Sequence, residues 1–277
     1  LKRLAKTWSR RRGSAAINGR PGSTRHVKEI QKKAGVIYWA GCDIQKTFMV
    51  DIAANCWKVL DRINEAAAKC GRDPSQIQLL AASKAQSVSR IQQASEAGIR
   101  LFGENYVQEA KIKREAVKDP VEWHMIGHLQ RNKVKIALEL FDLIESLDNA
   151  ELARELDKEG KKRGKTVRAF VEVNLGGEES KSGIPKEKVV ALLQEAGKLS
   201  HLRIEGLMVV PPFRENSEEV RPYFRALREL QRDLMALNIP NVELKELSMG
   251  MTHDYPVAIE EGATLVRIGT AIFGPRE

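Results

Sequence analysis

From Val50 onward the chain alternates between two spacings of apolar residues. Residues 51–71 place Ile52, Cys56, Val59, Leu60, Ile63, Ala67 and Cys70 at helical spacing, and Gly71 stops the run. Short β-type runs follow at 77–83, 100–103, 121–126, 143–147, 167–173, 202–210, 242–247 and 264–268. Helical patterns separate them near 88–97, 106–116, 131–140, 149–163, 185–198, 217–237 and 254–261. Strands that alternate with helices predict a parallel sheet. Eight such units in about 230 residues predict an α/β protein built as a single (β/α)8 TIM barrel, a fold of ~250 residues. No helical pattern follows the last run, so residues 51–71 are expected to fill the vacant place on the outer ring. A doubly wound open sheet is the alternative, and the lack of a G-x-G-x-x-G after the first run weighs against it.

Charge divides the chain in the same place. The net charge is +9, yet residues 1–50 hold 12 Lys and Arg against only Glu29 and Asp43. The remaining residues are close to neutral. A nucleic-acid domain would carry its basic patch on the fold itself, so no nucleic-acid partner is expected. Residues 1–48 read as a basic, disordered extension, and 49–277 as the barrel. A transit peptide or a basic arm would have the same composition. The chain begins at Leu1, and Met49 immediately precedes the first helix, so the natural start is expected near Met49. No run approaches the ~20 apolar residues of a membrane-spanning helix. The three cysteines, Cys42, Cys56 and Cys70, form no C-x-x-C pair. They suit reduced thiols and a cytoplasmic location better than a disulfide framework.

Candidate chemistry collects where the strands end, the active face of such a barrel. The stretch "LLAASKAQS" ends an apolar run in Lys84. Period-2 alternation puts Leu80, Ala82 and Lys84 on one side of the strand. Ser248-Met249-Gly250 closes the seventh run, and Ile268-Gly269-Thr270 closes the eighth. Loops after strands 7 and 8 are the recurrent phosphate cradle of this fold. Glycine lets backbone N–H groups approach an anion, and a Ser or Thr hydroxyl adds a donor. Tight turns alone would also explain these glycines. A lysine at the barrel mouth loses protons more easily as it is desolvated, and its neutral amine attacks aldehydes to form a Schiff base. A phosphate cradle opposite such a lysine suits pyridoxal 5′-phosphate, PLP. Arg267 shares a strand side with Gly269 and would face the pyridine nitrogen as a permanent donor. His124 and His128 stand four apart, but "EWHMIG" reads as strand and would separate them, so no metal site is expected. Glu104 reads as structural, Lys181 in "GGEESKSGI" as exposed, and "KKRGK" as a solvated helix end.

At these residues the chain resembles a known family. "LLAASK", "LFGENYVQEA", "EWHMIGHLQRNK", "VNLGGEESKSGI", "GLMVV" and "LSMGMTHDYPVAIEEGATLVRIGTAIFG" are together similar to the pyridoxal phosphate homeostasis protein family. That family is similar to the N-terminal barrel of alanine racemase, the type III PLP fold. The resemblance runs in order over about residues 50–275. It implies Lys84 as the Schiff-base lysine and Asn105 near the cofactor. It implies Ser248, Met249, Gly269 and Thr270 around the phosphate, and Arg267 at the pyridine nitrogen. The chain departs from the pattern after the lysine, where the family prefers Thr and then a Pro but this sequence has Ala85-Gln86-Ser87. Thr252 stands where Ser is common.

Three functions compete on this footing. The first is a PLP-binding protein that holds, buffers or delivers the cofactor, with PLP-dependent apo-enzymes as recipients and no catalytic residue of its own. The second is a PLP-dependent racemase or decarboxylase. The third is an unrelated TIM-barrel enzyme for a phosphorylated ligand. The racemases that the resemblance brings in carry a C-terminal β domain that completes the site across a dimer. The sequence ends at Glu277, close behind the eighth run. A barrel without that domain is expected to be monomeric and to hold the cofactor without racemising amino acids, which takes a proton donor and acceptor on opposite faces.

Overall fold

The computed structural model describes residues 50–177 and 182–275. The expectations for the basic segment 1–48 and for Lys181 lie outside the described residues. Asp51 caps the first helix, its carboxylate accepting the Ala54 N–H at 2.9 Å. That helix, α1 (Ile52–Lys69), buries Ile52, Cys56, Val59, Ile63, Ala66 and Ala67 along one stripe. Units of strand and helix then follow. They are β1 (Gln78–Ala82), α2 (Val88–Glu96), β2 (Leu101–Glu104), α3 (Val107–Ala116), β3 (Glu122–Met125) and α4 (Val134–Leu140). Next come β4 (Leu143–Leu147), α5 (Ala150–Arg163), β5 (Val167–Asn174), the two-residue β6 (Ile184–Pro185) and α6 (Val189–Ala196). The chain continues through β7 (Leu202–Met208), α7 (Arg221–Met235), β8 (Val242–Met251), α8 (Tyr255–Glu260), β9 (Leu265–Ile268) and α9 (Thr270–Phe273).

All pairings are parallel. The ring runs β1, β2, β3, β4, β5, β7, β8, β9 and back to β1, with the β4–β5 pairing completing the circle. This is the closed eight-stranded barrel the alternation predicts, and it removes the open-sheet alternative. The extra β6 lies against the end of β5. Pro185 accounts for it, because a residue before proline is driven to extended backbone, so Ile184 cannot begin the next helix. α1 packs against α2, α8 and α9, between the last and first units of the ring. α9 is a single turn that the apolar pattern is too short to reveal.

Side-chain alternation divides the interior. Outward residues such as Ala81, Phe102, Trp123, Ile144, Val171 and Val266 pack under the helices. Leu80, Leu101, Leu143, Phe170, Met208 and Leu265 fill the inside of the barrel, with Ala82 and Ile126 against them. No helix among the described residues is long and apolar enough to cross a membrane.

Candidate functional site

A cavity of about 670 Å³ opens at the C-terminal ends of the strands. Lys84, Asn105, Arg267, Gly269 and Thr270 all line it. Five residues spread over 187 positions are thus gathered by the pairing of β1 with β2 on one side and with β9 on the other, the latter register setting Leu80 opposite Arg267. Ser248 and Met249, expected in the same lining, are not in it. The β8 strand runs to Met251, four residues beyond the apolar run that predicted its end, so Met251 and Thr252 reach the cavity instead. Met249 points outward into the core beneath the helices. The Ser248 hydroxyl is turned to Glu145 and Arg267 inside the barrel. Gly250 has φ +91°, and a Cβ there would stand 2.6 Å from the Ala258 Cβ, so this glycine serves the close approach of α8. Thr252 links the last two loops, its hydroxyl accepting the Ala271 N–H at 3.3 Å.

Lys84 sits on a turn fixed from outside the barrel. Ala85 has φ +58°, the left-handed region that costs an L-residue energy. Its N–H donates to Glu109 Oε2 at 2.9 Å. The buried Lys113 ammonium donates to that same oxygen at 2.8 Å, to the Ser83 carbonyl at 2.8 Å, and to Glu104. Glu104 is fully buried; one oxygen meets the Ser83 hydroxyl at 2.7 Å, and the other accepts the Asn105 N–H at 3.0 Å. One ion cluster thus holds the backbone on both sides of Lys84 and the backbone of Asn105.

A second polar set crosses the barrel interior. Arg267 donates to the Ser248 hydroxyl at 2.6 Å and to the Val209 carbonyl at 2.8 Å. Ser248 donates to Glu145 at 2.5 Å, and the other Glu145 oxygen meets His124 Nδ1 at 2.7 Å. His124 Nε2 meets Glu122 at 3.2 Å, and Glu122 accepts from Arg168 at 2.8 Å. Burial works against charge on His124, but its bonds to Glu122 and Glu145 prevail and raise its pKa to about 9. The His124 bond, helped by Arg168, holds Glu122 down to about 2. Burial lowers the pKa of Arg267, while the charges of Glu145, Glu172 and Asp254 pull it back up.

Glu172, near the end of β5, completes the cavity wall. Burial raises its pKa to about 7, opposed by Arg267 and reinforced by Asp148 and Glu145. Val210, Pro212, Phe213 and His253 form much of the rim, and Pro212 and Phe213 come from a loop outside the motifs. Phe213 is 72 % exposed and packs against His253 at 5.6 Å between ring centroids. The cavity therefore has an amine, a buried guanidinium and a Gly-Thr wall on one side, and apolar rings at its mouth. Asn105 Oδ1 is buried with no hydrogen-bond partner among the described residues. A buried acceptor left unsatisfied is costly, and this one belongs to a residue that lines the cavity. The donors and the unsatisfied acceptor fit a small phosphorylated aromatic aldehyde.

Comparisons with known proteins agree with this geometry. The family described as "Alanine racemase, N-terminal domain" matches residues 54–277. The pyridoxal phosphate homeostasis protein of Aquifex aeolicus is 47% identical over 221 residues, covering 79% of this chain and 96% of its own length. That of Pseudomonas aeruginosa is 42% identical over 230 residues, covering 83% of this chain and 97% of its own length. The solved structure of PipY from Synechococcus elongatus with PLP bound superposes with a TM-score of 0.68 at 35% identity, covering 77% of this chain and all of that one. An alanine racemase of Clostridium difficile shares the fold at a TM-score of 0.63 and 13% identity, over 80% of this chain and 57% of that one. With the closed barrel, the cavity at its strand ends and these similarities together, the chain belongs to the pyridoxal phosphate homeostasis protein family, built on the barrel fold of the alanine racemase N-terminal domain.

Proposed function

We propose that this protein holds PLP reversibly, with Lys84 binding its aldehyde carbon as a Schiff base, and releases it without turning over amino acids. The observation that carries the reading is the convergence of Lys84, Asn105, Arg267, Gly269 and Thr270 on one cavity. When bound, PLP supplies an electrophilic carbonyl and a ring that withdraws electrons. The chain's own groups do the rest. The turn at Ala85 aims the Lys84 amine into the cavity. Thr270 and the Gly269 backbone offer donors to a phosphate. Arg267 donates to the pyridine nitrogen without giving up a proton, which leaves the ring a weaker electron sink than an acidic partner would. That choice suits storage better than carbanion chemistry. The names of the relatives, homeostasis proteins rather than enzymes, support the same reading. Apo-enzymes that need PLP are the natural recipients.

The test is to load the purified protein with PLP, reduce it with borohydride and map the modified residue by mass spectrometry. The label is expected on Lys84 at one equivalent, and lost in Lys84→Ala. The loaded protein should leave L-alanine unracemised. A stoichiometric label elsewhere, or turnover of order 1 s⁻¹ or faster, would overturn the proposal.

A further inference from the structure

We propose that Glu145 is the positioning residue for Arg267: through the Ser248 hydroxyl it aims the guanidinium at the cofactor ring and keeps it there. This rests on the PLP reading above and adds to it a residue that touches no ligand.

The argument starts from the hydroxyl. Ser248 accepts from Arg267 Nη1 at 2.6 Å, and a hydroxyl that accepts well is one whose own hydrogen is directed elsewhere. That hydrogen goes to Glu145 Oε2 at 2.5 Å, and the same oxygen lies 4.0 Å from the guanidinium. Ser248 and Glu145 are both fully buried, so no water competes for either bond. Glu145 in turn cannot swing away. Its second oxygen is held by His124 Nδ1 at 2.7 Å, and His124 is held from its far side by Glu122. Charges alternate along the line: Arg168, Glu122, His124, Glu145, Arg267. Each bond is charge-assisted, the stronger class. The strands that supply these groups, β3, β4, β5, β8 and β9, are the rigid wall of the barrel.

The guanidinium needs such a hold. Two of its five N–H groups are spent on Ser248 and Val209. The side chain is buried, and its pKa is lowered by that burial. Glu172 and Asp254 also attract its charge, but neither is hydrogen-bonded to it. Glu145 is thus the carboxylate connected to Arg267 by directed bonds, and the hydroxyl between them converts its charge into an orientation.

The experiment compares PLP with its 1-deaza analogue, which keeps aldehyde and phosphate but lacks the ring nitrogen. Wild type is expected to bind PLP at least about tenfold more tightly, the worth of one hydrogen bond to a charged group. In E145Q and in S248A that preference should collapse to within about threefold, while borohydride still labels Lys84. A merely structural role would weaken both ligands together and leave the ratio alone. Variants that fold, load and keep the wild-type ratio overturn the proposal and spare the PLP reading. A wild type that loads PLP but ignores the ring nitrogen overturns the placing of Arg267 and this inference with it. A wild type that takes no PLP overturns the functional reading itself. In apo wild type the Arg267 guanidinium protons should exchange slowly by NMR. Should E145Q and S248A both fail to fold, fast exchange there overturns the proposal.

Discussion

Two buried polar networks flank the site, and they are built in opposite ways. The outer one joins Ser83, Glu104, Glu109 and Lys113 beneath the helices. Its members lie within 31 residues of one another, just past the end of β1 and on β2 and α3. The inner one joins His124, Glu145, Ser248 and Arg267 inside the barrel. Its members come from β3, β4, β8 and β9, far apart in the chain. The outer network fixes where the Lys84 backbone sits, and the inner one fixes a side chain opposite. A local cluster can set a turn, because the turn and its clamp fold together. Aiming a guanidinium across a barrel takes groups that only ring closure brings within reach.

The largest expected effect tests the outer clamp. Lys113→Met leaves Glu104 buried without its cation, which should cost about 3–5 kcal/mol by urea unfolding. Pairing it with Glu104→Gln should recover part of the loss. A cost below about 1 kcal/mol would place the cluster with ordinary surface pairs and dissolve the contrast.

The inner network should differ by depending on pH near neutrality. The folded pKa of His124, about 9, lies above its unfolded value near 6.5. Its contribution is therefore complete below about 6.5 and lost as the pH rises through about 9. The drop is at most about 3 kcal/mol. Urea unfolding of wild type and His124→Gln at pH 6 and pH 10 checks this: the gap between them should narrow at the higher pH. A gap that widens would contradict the sign.

The smallest effect sharpens the picture of the turn. Ala85 holds φ +58° because Glu109 accepts its N–H, at the expense of left-handed strain. Ala85→Gly should relieve that strain and raise stability by about 0.5–1 kcal/mol, measured by thermal unfolding. A loss of stability would show that the clamp imposes no strain there.

These networks also mark how far the sequence could be read. The eight units and the parallel ring follow from apolar spacing, because burial repeats at every second residue in a strand and every third or fourth in a helix. Lys84, Gly269 and Thr270 were legible because strand ends carry the chemistry of this fold. Ser248 and Met249 stay out of the cavity lining because β8 pairs on both sides past its apolar run, through irregular registers that spacing does not reveal. Glu172 falls inside the run 167–173, and Glu145 sits within an apolar run, "LIESL", where nothing signals a role.

The sequence by itself determined the barrel and placed Lys84 and Arg267 at strand ends, since each depends on local spacing and on the nature of one side chain. Only the tertiary structure decided what holds them. The partners of Arg267 stand 19 and 58 residues away in the chain, and Glu145 lies farther still. Contacts at that separation exist only once the strands have closed, because register and strand order, rather than composition, choose which buried groups meet.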